Sequence, residues 1–352
     1  MRMPSQKNKK RPVFIIAEAG SNWKVGSSAA DWKRARALVD TAKEAGADAV
    51  KFQTFRASSV YVPNAGVSAY LSKQGIRESI VGLFERLSMP YEMIPKLAAY
   101  CRKQKMEFMS SFFSADDFKI VNPWVWRHKI ASYEITHPRL LELAAQSGKP
   151  LILSTGAAML NDIDWAIRYY RQKGGKEITL MQCTAKYPAP LEALHLQVIP
   201  EFLKRYRIPV GFSDHSIDPV VGVVTAVALG AGVIEKHFTL SRKLKGPDHA
   251  FAVEPGELRQ MVQSIRGCEK ALGDAHKRVL DVERELSLCA QRAVQAIRDI
   301  RKGDILREGK NVAILRAGSR KKGMHPRWIF RAEGKKAKKQ VALGDGIQLS
   351  NF

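Results

Sequence analysis

Between residues 13 and 237 the chain alternates short apolar runs with stretches whose apolar positions recur every three to four residues. The runs at 13–18, 47–53, 106–111, 127–131, 150–154, 178–183, 209–214 and 232–237 are rich in Val, Ile, Leu or Phe. Strands buried on both faces have this texture. Amphipathic segments at 31–45, 91–105, 138–147, 163–173 and 218–230 separate several of them and read as helices. Gly46 and Gly230 fall where two of these helices should end. Eight such units in about 225 residues predict an α/β fold, a (β/α)8 TIM barrel in preference to an open doubly wound sheet.

The pattern changes after residue 237. A loop holding Gly246-Pro247-Asp248-His249 leads to a helical segment at 255–272. Residues 275–290 are polar and charged and read as a connector. Residues 291–352 combine short apolar runs with many turns, the signature of a small, mostly β domain. The expected organisation is a disordered basic lead-in at 1–11, a barrel at 12–274, the connector, and that second domain.

Composition narrows the class without naming a chemistry. A hydrophobic content of 45% with 26% charged residues is ordinary for a soluble globular protein of 352 residues. No run of about 18 apolar residues suggests a membrane span, and residues 1–11 lack the apolar stretch of a secretion signal. Cys101, Cys183, Cys268 and Cys289 show neither zinc spacing nor a disulfide pattern, which favours a reducing cytoplasm. The formal net charge is +24, and residues 275–352 carry 19 Lys/Arg against 8 Asp/Glu. Such a surface suits a polyanion or steers a small multivalent anion. No zinc finger, aromatic RNA-binding motif or helix-turn-helix accompanies it, so nucleic acid is not the expected partner.

Polar side chains cluster where the predicted strands end. Glu18 closes the first, Lys51 and Gln53 share a face of the second, and Ser110 and Ser111 close the third. The fourth leads through Lys129 to Ser132, Tyr133 and Glu134. The fifth ends in Ser154, the sixth in Cys183 and Thr184, the seventh in Ser213, Asp214 and His215, and the eighth in His237. In a barrel these ends converge on one mouth, where such folds hold their chemistry. Lysines with short hydroxyls suit a phosphate or carboxylate. His215 and His237, with Asp248 as a further candidate ligand, suit a divalent metal that polarises a carbonyl. Glu18 and Glu134 are candidates for acid–base work or for orienting substrate hydroxyls. The composite points to a metal-assisted reaction between a phosphorylated anion and a carbonyl compound.

The same residues carry a family resemblance. Ile-Ile-Ala-Glu18-Ala-Gly-Ser-Asn22, Ala-Val-Lys51-Phe-Gln53-Thr, Lys129-Ile-Ala-Ser132-Tyr-Glu134, Cys183-Thr184-Ala-Lys-Tyr187-Pro, Gly-Phe-Ser213-Asp-His215, Glu-Lys-His237-Phe-Thr and Gly-Pro-Asp248-His resemble the sialic acid synthase family. The tail, with Leu-Arg316-Ala-Gly, is similar to that family's C-terminal SAF (antifreeze-like) domain. The resemblance implies condensation of phosphoenolpyruvate with N-acetylmannosamine or a related N-acetylated sugar, releasing phosphate and giving a nonulosonic acid. Legionaminic and pseudaminic acid synthases, acting on a 2,4-diacetamido sugar, are the near alternative. A non-catalytic basic scaffold or nucleic-acid-associated relative is the alternative of a different class.

By the resemblance, His215 and His237 bind Mn²⁺, with Mg²⁺ or Co²⁺ as other candidates. Lys51, Lys129, Ser132, Ser154 and Ser213 hold phosphoenolpyruvate, Glu18 acts near the reacting carbons, and Gln53, Glu134, Tyr187 and Asp248 contact the sugar. It also implies a domain-swapped homodimer in which Arg316 reaches the sugar's acyl group in the partner subunit. Three positions depart from the family pattern: Trp23, Tyr133 and Ala185. Ala185 removes a possible hydrogen bond to phosphoenolpyruvate, and Trp23 and Tyr133 are expected to add bulk near the mouth.

Overall fold

The structure is a computed structural model that describes residues 12–67 and 78–352, so the expected lead-in at 1–11 lies outside the described residues. The chain divides into two compact units, Met1–Gly273 and Asp274–Phe352. In the first, eight parallel strands close into a barrel in chain order: β1 (Phe14–Gly20), β2 (Ala49–Thr54), β3 (Glu107–Phe112), β4 (His128–Ile130), β5 (Leu151–Ser154), β6 (Ile178–Cys183), β7 (Val210–Asp214) and β8 (Val233–His237). Every strand read from the apolar pattern is present, with ends displaced by up to two residues.

Helices cover the outside of the barrel. Ser28–Ala45 follows β1, Met93–Lys103 precedes β3, Pro138–Gln146 follows β4, and Leu160–Gln172 follows β5. Val221–Ala228 joins β7 to β8, and Pro255–Leu272 closes the unit. Ser27 caps the helix Ser28–Ala45 by accepting from the Ala30 amide, and Gly46 ends it at φ +86°. That left-handed turn strains any residue with a Cβ. Gly230 plays the same part before β8, at φ +105°.

Two-residue alternation divides each strand between two cores. Outward side chains such as Ile15, Val50, Phe108, Leu153, Leu180, Phe212 and Ile234 pack with Leu38, Val39, Leu97 and Leu141 of the helices. Inward, Ile16, Ala49, Met109, Ile152, Met181 and Val233 form an apolar layer across the barrel floor. Gly211 is the inward residue of β7, where a Cβ would lie 2.4 Å from Met181 Sδ, so its absence makes room for that side chain. Moving two residues along each strand turns the same inward face polar, and that second layer is the mouth.

The second unit is less regular than the expected β domain. Among the described residues it has one two-stranded antiparallel sheet, β9 (Arg292–Ala296) with β10 (Val312–Arg316). Isolated bridges at Ile300–Val341, Ile305–Lys336 and Gln295–Gly346 link its turns. Its core gathers Val294, Ile300, Leu306, Val312, Met324, Ile329 and Ile347. The polar connector contains a short helix, Arg284–Cys289.

Candidate active site

Barrel register sets the site. On the paired strands Glu18 stands opposite Lys51 on β2 and opposite His237 on β8. Gln53 pairs with Ser111, Ser111 with Lys129, Cys183 with Ser213, and Ser213 with Glu235. Adjacent strands therefore carry their inward polar residues at nearly one level. Together they line a hollow with about 400 Å³ of empty space, part of it open solvent, with Ser132, Tyr133, Ser154, Tyr187 and His215 completing the wall.

The two lysines differ in their surroundings. Lys51 Nζ lies 2.5 Å from Glu18 and 3.4 Å from Ser111 Oγ, with Glu235 at 3.9 Å. Burial alone pushes the Lys51 ammonium towards deprotonation, but Glu18 and Glu235 outweigh it and hold the pKa above the usual lysine value. Lys129 Nζ donates to Ser154 Oγ at 2.6 Å and to the Ile130 carbonyl at 3.3 Å, while Glu235 stands off at 3.9 Å. Desolvation dominates there, and the Lys129 pKa is depressed. Ser154 accepts from Lys129, so its own hydrogen can point into the cavity. Ser132 likewise accepts from the Gly156 amide at 3.0 Å. This is a bed of donors suited to anionic oxygens.

Glu18 is fully buried, and desolvation raises its pKa to about 7 against the opposing pull of Lys51. Gln53 Nε2 donates to its Oε1 at 2.9 Å, fixing the carboxylate plane. A carboxyl balanced near neutrality suits proton transfer. Glu235 is the opposite case: Lys129 and Lys51 overcome the effect of burial and keep it below the usual carboxylate range. It accepts from Ser213 at 3.2 Å, and its Oε2 is buried without a hydrogen-bond partner.

Both histidines reach the cavity, their ring centroids 5.6 Å apart. Burial pushes each pKa down to about 3, with His237 opposing charge on His215 and Lys51 opposing charge on His237. Both are thus neutral near pH 7. His215 donates from Nδ1 to the Thr184 carbonyl at 2.8 Å, leaving Nε2 with its lone pair. His237 Nδ1 is buried with no hydrogen-bond partner. Two neutral imidazoles, one oriented through its far nitrogen and one with an unsatisfied ring nitrogen, fit a divalent metal. No third His, Cys, Asp or Glu joins them in a metal-sized group among the described residues.

Other predicted residues lie at the edge of this cavity or beyond it. Tyr187 packs against His215 with ring centroids 4.1 Å apart and lines both this cavity and a second one beside it. Asp248 lines the second cavity and accepts from Ser21 Oγ at 3.0 Å. Glu134, in the turn after β4, lines a surface hollow with Ser59, Phe113 and His137, and that hollow shares Tyr133 with the main cavity. Its Oε2 is buried without a hydrogen-bond partner, and burial raises its pKa to about 7 against the opposing pull of Lys129. Arg316 ends β10 in the second unit and is exposed.

Of the departures, Tyr133 lines the main cavity. Trp23 does not: it is 1% exposed in the outer core, because its position after the β1 turn directs it between barrel and helices. The expectation that it crowds the mouth is corrected. Glu235 was missed by the sequence reading, although it precedes His237 by two residues and so must share its face. Lys236 between them points outward into a buried pair with Asp214 at 2.6 Å.

Known proteins resemble this chain along most of its length. The NeuB family model matches residues 38–277. The spore coat polysaccharide biosynthesis protein SpsE of Bacillus subtilis is 40% identical over 359 residues, covering 96% of this chain and 93% of that one. Its crystal structure aligns with a TM-score of 0.64 at 38% identity, over 97% of this chain and 96% of that one. The pseudaminic acid synthase of Campylobacter jejuni is 32% identical, with 98% of each chain covered. The crystal structure of N-acetylneuraminic acid synthetase from Leptospira borgpetersenii, in complex with citrate, aligns with a TM-score of 0.68 at 31% identity, over 78% of this chain and 90% of that one.

Proposed function

The chain belongs to the NeuB family, and on that premise we propose that it condenses phosphoenolpyruvate with an N-acetylated amino sugar to a nonulosonic acid. The observation that carries this reading is the ring of Lys51, Lys129, Ser132, Ser154 and Ser213 around Glu18 at the top of one barrel. Two buried ammonium groups and three hydroxyls match a small molecule with a phosphate and a carboxylate. A fold alone requires none of them.

In the reaction C3 of phosphoenolpyruvate bonds to the aldehyde carbon of the open-chain sugar. Water adds to C2, and phosphate leaves. Lys51 and Lys129 hold the anionic ends in place as charge shifts towards the departing phosphate. Glu18, oriented by Gln53, takes the proton of the water that attacks C2. Its separation from bulk solvent and its near-neutral pKa allow that role at physiological pH. Gln53, Tyr187 and Asp248, on the side of the second cavity, contact the sugar. His215 and His237 would hold a divalent metal, Mn²⁺ by preference, which when bound polarises the acceptor carbonyl.

The second unit is read as an SAF-type domain acting in a homodimer, with Arg316 reaching the sugar bound to the partner subunit. The support is its separate core and the match of full-length relatives across 96–98% of the chain. Among the described residues no helix is long and apolar enough to cross a membrane.

The test is phosphate release from phosphoenolpyruvate with Mn²⁺, run with N-acetylmannosamine and with 2,4-diacetamido-6-deoxyhexoses, with and without chelator. Sugar-dependent, chelator-sensitive release is expected. Absence of release with every sugar in the panel, together with salt-sensitive retention of RNA or DNA, would replace this reading with that of a basic scaffold.

A further inference from the structure

The turn that follows β1 is fastened to the segment that follows β8. Asn22 Nδ2 donates to the Phe238 carbonyl at 2.8 Å, and the Phe238 amide donates to the Glu18 carbonyl at 2.9 Å. These bonds hold Gly20-Ser21-Asn22 against the start of the loop that carries Asp248. Ser21 then reaches that loop directly. Its Oγ donates to Asp248 Oδ2 at 3.0 Å, and its amide donates to the same oxygen at 3.4 Å. Gly20 permits the approach, since a Cβ there would lie 2.8 Å from Asp248 Oδ2 and 3.3 Å from Glu18 Oε1.

Both bonds fall on one carboxylate oxygen. Among the described residues Oδ1 takes none, which leaves it for a ligand in the second cavity, lined by Ser21 and Asp248 alike. Burial raises the Asp248 pKa, and the two bonds from Ser21 pull against that rise. Pinning Oδ2 also fixes the direction of Oδ1, so a ligand need not order the carboxylate as it binds. We propose that Ser21 is a positioning residue for the acceptor, holding Asp248 with one oxygen presented to a sugar hydroxyl. The proposal rests on the condensation set out above and adds to it a side chain that acts through Asp248.

The test is the steady-state kinetics of Ser21→Ala and Ser21→Thr, with the acceptor that releases phosphate and with phosphoenolpyruvate saturating. Ser21→Ala is expected to raise the sugar KM by roughly 3- to 12-fold, the worth of one ordinary hydrogen bond, while kcat falls far less. The phosphoenolpyruvate Kd, measured without acceptor, should stay at the parent value, which a general loosening of the barrel mouth would not allow. Ser21→Thr keeps the hydroxyl and should return the sugar KM towards that of the parent. In an Asp248→Ala background, Ser21→Ala should add little, because the group it acts through is gone. A sugar KM unchanged by Ser21→Ala, no recovery with Ser21→Thr, or an undiminished effect in the Asp248→Ala background overturns the proposal and leaves the condensation intact. Failure of every acetamido sugar to release phosphate from the parent overturns the condensation itself, and this proposal with it.

Discussion

Lys51 and Lys129 line one cavity, yet their replacement by Met should have different consequences. Among the described residues Lys129 has no carboxylate closer than Glu235 at 3.9 Å, and its ammonium rests on one hydroxyl and one carbonyl. Burial already disfavours that charge. Methionine keeps most of the volume and removes the desolvation cost, so Lys129→Met should leave stability within about 1 kcal/mol of the parent. It should nevertheless weaken phosphoenolpyruvate binding by about 1.5–3 kcal/mol, the worth of one charged hydrogen bond, or roughly 10- to 150-fold in Kd.

Lys51→Met removes the partner of buried Glu18 at 2.5 Å. Breaking a buried pair costs about 3–5 kcal/mol when the orphaned group stays charged. Glu18 can protonate instead, so the loss should be smaller at pH 6 than at pH 8. Calorimetric titration of phosphoenolpyruvate, without acceptor, measures the first effect; urea midpoints at the two pH values measure the second. A Kd for Lys129→Met within threefold of the parent would remove Lys129 from the anion site. A stability loss as large as that of Lys51→Met would show that the 3.9 Å separation from Glu235 understates its pairing.

Glu18→Gln should lower kcat by about 100- to 10,000-fold while phosphoenolpyruvate still binds; unchanged kcat excludes Glu18 as the base. In the parent, the ionised carboxylate is the active form, so activity should fall about tenfold per pH unit below the Glu18 pKa of about 7 and level off above it. A flat profile between pH 5.5 and 8 would contradict the assignment. His237→Ala should abolish manganese retention after dialysis, measured by elemental analysis independently of turnover; retention equal to the parent places the metal elsewhere. Gly20→Ala should cost roughly 1–2 kcal/mol in urea unfolding, because Gly20 holds φ +49° and its Cβ would meet Asp248 at 2.8 Å; an unchanged midpoint would refute the conformational argument. Mixing Arg316→Ala with Glu18→Gln protomers should restore activity if each barrel borrows Arg316 from its partner, whereas no recovery argues against exchange of the second unit.

The sequence by itself determined the eight strands, the parallel barrel and most of the polar ring. The reason is local: a strand's side chains alternate, so Lys51 fixes the face of Gln53, and His237 fixes that of the overlooked Glu235. Closure in chain order then brings all eight strand ends to one mouth. Only the tertiary structure decided which of these residues touch. Register set Glu18 against Lys51 and left Lys129 to a serine, giving two similar lysines opposite pKa shifts. Packing sent Trp23 into the outer core and turned Glu134 to a neighbouring hollow. The second cavity beside the mouth brings Phe55, just after β2, against the helix Ile80–Leu87, and no periodicity in either segment announces their meeting. Alternation along a strand is a property of consecutive residues. Pairing, burial and the shape of a pocket belong to segments that only the closed barrel brings together.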